Sequence, residues 1–390
     1  MKKILWVLFI LIIIAVTGVL IFAPAIVDNA RNAVVEHAPY TVSGEAKKLH
    51  QSLIIGDWHA DSLLWNRDLS KSNKIGQLDI PRMQKGNVGL QVMTVVTKSP
   101  SGQNLNSNET ATSDNITKLA LVQRWPVSTW TSLTARAVHQ AKKLDKFEKR
   151  NSKDLMIIKS KSDLTHWQNK RQTKDQSKLV GALLGTEGSH ALDGKLENVQ
   201  LLYDHGFRMM SLHHFFDNKL GGSLHGVSQG GLHDFGRQVV KKINDLNIVL
   251  DVSHSSEAVV NDVLNMSSRP VVVSHTGFKG HCNTPRNVSD ALMQKIAADG
   301  GLIAVGYWAS AICGTHPSAI AGAIKYGIEL VGENHVALGS DFDGSVTTGL
   351  DTSELVAITQ ALMDKGISEP QIRKVMGGNM LRFLIDNLPE

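Results

Sequence analysis

The segment GDWHADSLLW, Gly56–Trp65, ends a short apolar run with a histidine and an aspartate two positions apart. Residues i and i+2 of an extended chain share a face. His59 and Asp61 can therefore aim an imidazole nitrogen and a carboxylate oxygen at one point. Similar groups recur after other apolar runs: Glu187 in GTEGSH, His213 and His214 after MMSL, His254 after LDVS, His275 after VVVS, and Asp341 and Asp343 in GSDFDG. Alone, each reads as an ordinary buried or turn residue; Asp343, for instance, suits a turn with Gly344. Gathered together without compensation, they would cost repulsion and desolvation. A divalent cation offsets both, and imidazole with carboxylate is the donor set expected of zinc and related ions. The tally suits two ions: His59 and Asp61 for one, His254 and His275 for the other, and Glu187 between them. Paired ions roughly 3.5–4 Å apart acidify water and favour hydrolysis. A single ion held by the same residues is the alternative.

These groups meet only if the elements before them end at one rim. Eight apolar runs are separated by helix-sized segments: Leu53–Asp57, Val88–Val96, Leu179–Gly185, Phe207–Leu212, Asn247–Val252, Pro270–Ser274, Gly301–Val305 and His335–Ser340. That rhythm predicts parallel βα units. Eight of them predict an α/β fold of the (β/α)₈ TIM-barrel type, with its site at the carboxyl ends of the strands. An open nucleotide-binding sheet would need a glycine-rich first turn, which is missing. A long insertion follows the second strand, around residues 97–178. It begins with the polar, turn-rich stretch Ser99–Asn115, expected to be flexible, and continues into a helix over Thr131–Arg150 and an extra edge strand near Leu155–Ile158. Within it, QRWPVSTW (Gln123–Trp130) is expected to cover the mouth.

The chain has 390 residues, 42% hydrophobic and 20% charged, with a formal charge of +5. The basic excess between Lys142 and Lys178 reads as a solvated face, and no nucleic-acid partner is expected. Lys2 and Lys3 precede a nearly unbroken apolar run from Ile4 to Val27, long enough to cross a bilayer. It is read as a membrane anchor or signal segment over residues 1–27. A linker over 28–48 and a catalytic barrel over 49–390 follow. The length favours an uncleaved anchor, and the lysines place the barrel in the periplasm or another extracytoplasmic space; secretion after cleavage is the alternative. The two cysteines, Cys282 and Cys313, read equally as a disulfide or as free thiols.

Taken together, the motifs resemble those of the membrane dipeptidase family, also called renal dipeptidase or peptidase family M19. DWHAD is similar to the family's D-G-H-N-D, and TEGSHAL to its E-G-G-H segment. GFRMMSLHH, LDVSHSS, PVVVSHTG, PRNVSD and GSDFDG continue the series in family order, from about Leu49 to Leu384. The resemblance implies a (β/α)₈ hydrolase with two Zn²⁺ ions per chain. His59 and Asp61 would take one ion, His254 and His275 the other, and Glu187 would bridge. It also implies that His214 polarises the scissile carbonyl, that Arg286 holds the dipeptide carboxylate, and that Asp341 handles the proton passed from water to the leaving amine. Trp58 and Ala60 depart from the family's glycine and asparagine, with Trp58 expected near the base of the pocket; Ser189 replaces a glycine. The implied activity is hydrolysis of dipeptides, including those with a D residue at the carboxyl end, by a homodimer as family members often form. Periplasmic maturation of peptide siderophores such as pyoverdine is a role of some anchored relatives. The rival readings are an amidohydrolase or lactonase on a non-dipeptide substrate and a non-catalytic binding barrel.

Overall fold

Nine parallel strands build the sheet of the computed structural model, which describes residues 2–390 and leaves Met1 outside: β1 (Ile55–Ala60), β2 (Val88–Val96), β3 (Leu155–Ile157), β4 (Val180–Glu187), β5 (Phe207–Ser211), β6 (Val249–Asp251), β7 (Val272–Thr276), β8 (Leu302–Val305) and β9 (Val336–Leu338). β1 pairs with both β2 and β9, and β2 pairs with β4, so eight strands close into a barrel. β3 is the ninth, an edge strand on the first residues of β4. The (β/α)₈ architecture expected from the apolar runs is therefore present.

Three strands run further than those runs suggest. Ala60 pairs with Met93, Glu187 with Val96 and Thr276 with Val305. His59, Glu187 and His275 consequently lie on strands rather than beyond them, because ladder pairing continues through polar residues once these face a shared cluster.

All eight barrel strands contribute to one apolar cluster, through Trp58, Leu90, Leu183, Met209, Val249, Val272, Leu302 and Ala337. One contribution from each strand places this cluster inside the barrel, the packed layer on which the fold depends. Met380, Phe383 and Leu384 of the last helix join it. Trp58 stands edge-on to Phe383, with ring centroids 5.6 Å apart. A larger cluster lies between strands and surrounding helices. The helices start where side chains can satisfy free backbone N–H groups: Ser256 accepts from Val259, and Ser132 from Ala135.

The inserted segment is tied down. Arg136 is buried and donates to the carbonyls of Thr129 (2.6 Å) and Thr97 (2.7 Å) while pairing with Asp114 (2.5 Å). Asn108 N donates to His225 O at 2.9 Å, which fastens the polar stretch Ser99–Asn115 across the mouth. One helix, Lys2–Arg31, is long and apolar enough to cross a membrane. Its side chains from Ile4 to Ile14 are exposed, whereas Asp28 near its end is buried. Cys282 and Cys313 form a disulfide between the loops after β7 and β8.

Candidate metal centre

β1, β4, β5, β6, β7 and β9 all send polar side chains to the carboxyl-terminal rim. Glu187, the last residue of β4, stands at the middle. Its Oε1 lies 3.5 Å from His59 Nε2 and 3.3 Å from the Nε2 atoms of both His254 and His275. Its Oε2 lies 3.4 Å from His214 Nε2. Asp61 Oδ2 is 3.5 Å from His59 Nε2, and Asp341 Oδ1 is 3.9 Å from the same atom. Gly188 lets the chain turn at once after Glu187: its φ is 90°, and a Cβ there would collide with the His190 ring. His254 and Asp341 also have left-handed backbone, both with φ 60°.

The ligating atoms fall into three overlapping groups: His59, Asp61 and Glu187; Glu187, His254 and His275; and His59, His275 and Asp341. Glu187 belongs to the first two, so the donor set fits two adjacent cations sharing one carboxylate. His59 Nε2 and His254 Nδ1 are buried without hydrogen-bond partners. The opposite ring nitrogen of His59 is held by a relay: Nδ1 meets Ser274 Oγ at 3.1 Å, and Ser274 Oγ donates to Asp251 Oδ2 at 2.7 Å. Such outer contacts orient a ligating imidazole. Thr94 donates to Asp61 Oδ1 at 2.6 Å, leaving the other oxygen toward the cluster.

Electrostatics point the same way. Burial, with Asp61 close by, pushes the Glu187 carboxyl well above its usual range. Burial and Asp61 also raise Asp341, to about 8, against the pull of His59. Burial opposes charge on His59, yet Asp61 and Glu187 lift it to about 10. Burial is the largest cause at both raised carboxyls, with repulsion from Asp61 added, whereas Asp61 itself, against its own burial, is lowered by its pairing with His59; the buried cluster thus holds protons where cations could sit. His254 and His275 are held well below their usual range, by burial first and the Arg286 charge among further causes. Their nitrogens therefore present lone pairs, as metal ligands must.

Above this cluster opens a cavity of about 540 Å³, lined in part by Glu187, His214, His254, Arg286, Trp308 and Asp341. Arg286 is buried, and burial brings it down to about 10, still protonated at neutral pH. It donates to His275 O at 2.8 Å and faces the Trp308 ring at 5.3 Å, with no ion pair among the described residues. A buried cation with no anionic partner beside a cavity suits a carboxylate ligand. A hollow of about 580 Å³ beside Ile54, Trp167 and Arg171 has no carboxylate or imidazole in its lining, so volume alone does not mark the site.

The eight residues singled out for chemistry thus converge. Several neighbours do not follow the sequence reading. Gln103, Asn104 and Leu105 roof the cavity, not Gln123–Trp130, because the polar stretch is the part pinned over the mouth. Trp58 lies within the apolar barrel layer and does not line the cavity. Phe215 and Trp308 were not anticipated as walls; their aromatic character just past strand ends was the available signal. Asp343 does more than shape a turn, since it pairs with Arg67 at 2.6 Å.

The membrane dipeptidase family model, Peptidase family M19, matches residues 43–387. The chain belongs to this family. Dipeptidase aclJ of Aspergillus oryzae is 28% identical over 351 residues, covering 85% of this chain and 77% of its own. Several solved structures share the fold. The probable dipeptidase PvdM from Pseudomonas aeruginosa superposes with a TM-score of 0.72 at 19% identity, covering 88% of this chain and 97% of the other. A metallopeptidase from Rhodobacter sphaeroides, liganded with a phosphinate mimic of the dipeptide L-Ala-D-Ala, gives 0.68 at 21%, covering 86% and 99%. Membership and clustered ligands make this M19 dipeptidase a metal-dependent hydrolase of dipeptides.

Proposed function

We propose that two zinc ions serve this hydrolysis, His59 and Asp61 holding one, His254 and His275 the other, with Glu187 bridging. The observation that carries the reading is the convergence of four imidazole Nε2 atoms on the Glu187 carboxylate, 3.3–3.5 Å away, beside the unpaired Arg286 guanidinium. When bound, the ions supply Lewis acidity that acidifies water and polarises the scissile carbonyl. Arg286 clamps the substrate's free carboxylate and so sets the distance from chain end to scissile amide. Asp341 takes the proton from the attacking water and delivers it to the leaving amine as the C–N bond breaks. His214 stabilises the developing oxyanion. Burial brings the ring down to about 4 and so keeps it neutral; donation to the oxyanion uses the tautomer with its proton on Nε2, which gives up the long 3.3 Å contact of Nδ1 with Lys98 O. Gln103–Leu105 roof the cavity and exclude longer peptides.

The binding of a dipeptide mimic with a D residue by the Rhodobacter sphaeroides relative supports acceptance of carboxyl-terminal D residues here. The apolar helix Lys2–Arg31 serves as an inner-membrane anchor, with Lys2 and Lys3 cytoplasmic and the barrel periplasmic. The fold shared with PvdM is compatible with work on periplasmic peptides. Metal analysis together with a panel of dipeptides carrying L or D carboxyl-terminal residues tests the proposal. Two zinc equivalents with turnover of free dipeptides support it; full turnover by metal-free protein defeats it.

A further inference from the structure

The N-terminal helix does not run out into a free tether. Asp28 is buried, and its Oδ2 accepts from Arg67 Nε at 2.7 Å while its Oδ1 accepts from Asn32 Nδ2 at 2.8 Å. The same Arg67 guanidinium reaches Asp343 Oδ2 at 2.6 Å. Asn32 Oδ1 accepts from Ser345 N at 2.9 Å. Just beyond, Val35 N donates to Thr348 O at 2.8 Å, and Thr348 N to Ala33 O at 3.1 Å. Gln77 fastens both partners, donating from Nε2 to Ala33 O at 3.0 Å and to Val346 O at 2.8 Å, and accepting from Asp343 N at 2.7 Å. The end of the apolar helix is thereby laced to the loop after β9.

That loop carries Asp341, and its backbone is unusual. Asp341, Asp343 and Ser345 have φ of 60°, 64° and 64°, and none is glycine. Left-handed residues of this kind are disfavoured and persist only where the surroundings over-determine them. Asp28, through Arg67, and Asn32 directly supply part of that determination at alternate positions of the loop. Neither lies in the metal cluster or the cavity lining.

From this lacing we infer that Asp28 and Asn32 are positioning residues for Asp341. They hold the β9 loop in the conformation that sets the Asp341 carboxylate beside His59. The membrane helix is thus part of the catalytic assembly and not only a tether. The inference rests on the role assigned to Asp341 above.

The test uses the full-length chain in detergent, loaded with zinc and assayed on a free dipeptide. Asp28→Ala and Asn32→Ala lower kcat by ~10-fold or more while KM stays within about twofold, since a displacement near 1 Å degrades the chemical step more than binding. Zinc content stays at the wild-type level. Asp28→Asn recovers part of the loss, because an amide oxygen still accepts from Arg67. Asn29→Ala, exposed on the same helical turn, behaves as wild type. Unchanged kcat in both alanine variants overturns the inference. So does a loss of kcat accompanied by loss of zinc and absent rescue by Asp28→Asn, which marks a merely structural weld. Should Asp28→Ala fail to fold, Asn32→Ala and Asp28→Asn decide. Asp341→Asn separates the two levels: full activity there defeats the role of Asp341 itself, whereas inactivity there with normal Asp28 and Asn32 variants defeats only the positioning.

Discussion

His254 and His275 place their ε-nitrogens 2.9 Å apart at the ends of adjacent strands. At most one proton fits between two such nitrogens, and burial disfavours charge on both rings. Their lone pairs are left aimed at a common point beside Glu187. Removing either ring should cost metal before it costs fold. His275→Ala is expected to lose about one zinc equivalent by elemental analysis and to lower kcat/KM by roughly 10³-fold. A chelator should abolish the wild-type activity, and added zinc should restore it.

Arg286 should matter through the substrate's charge. Arg286→Ala removes a charge-assisted contact worth about 2–3 kcal/mol, a loss of roughly 30- to 150-fold in kcat/KM for a free dipeptide. The same dipeptide with an amidated carboxyl end should be hydrolysed poorly by wild type and no worse by the variant. Equal losses on both substrates would place Arg286 outside the carboxylate site.

Ser274 links His59 to Asp251 without touching the cavity lining. Ser274→Ala leaves the His59 ring free to tilt. Zinc affinity, measured by competition with a chromogenic chelator, should weaken by roughly 10- to 100-fold. At saturating zinc most of the activity should return.

At the start of the barrel strands, His50 offers a pH test separate from the metals. Its Nε2 donates to Gly86 O at 3.0 Å, and its Nδ1 meets Thr359 Oγ1 at 2.8 Å. Burial, aided by Lys178, brings it down to about 4 from 6.5. Between those values the unfolded chain binds the extra proton, so this group's stabilisation is complete above about pH 6.5 and is lost as pH falls toward 4. The full effect is at most about 3 kcal/mol. In His50→Gln, unfolding free energies measured at pH 7 and 4.5 should lie closer together than in wild type.

Much of this arrangement was legible in the sequence for one reason. Strands covered on both faces read as unbroken apolar runs, so Val88–Val96 and Leu302–Val305 announce themselves. Each chemical group sits within a few residues of such a run, which is why His59, Glu187, His254 and His275 could be gathered at one rim. The ends of the strands were less legible, since ladder pairing at Ala60 and Glu187 depends on partners far along the chain. The roof was misplaced for the same reason: the position of Gln103–Leu105 is set by Asn108 and His225, 117 residues apart. The helix end at Asp28 looked like the start of a linker, because its partners Arg67 and Asp343 have no local signature. Cys282 and Cys313 were likewise undecidable until the loops after β7 and β8 proved to be neighbours.

That bridge ties the manufacture of the protein to its chemistry. The covalent link joins the segment bearing Arg286 to the one bearing Trp308, so a carboxylate clamp built on Arg286, as proposed above, would be finished by oxidation and not by folding alone. Protein harvested from a reducing cytosol would keep its barrel and its zinc ligands. It would grip free dipeptides less firmly, and its KM would record where the chain had been made.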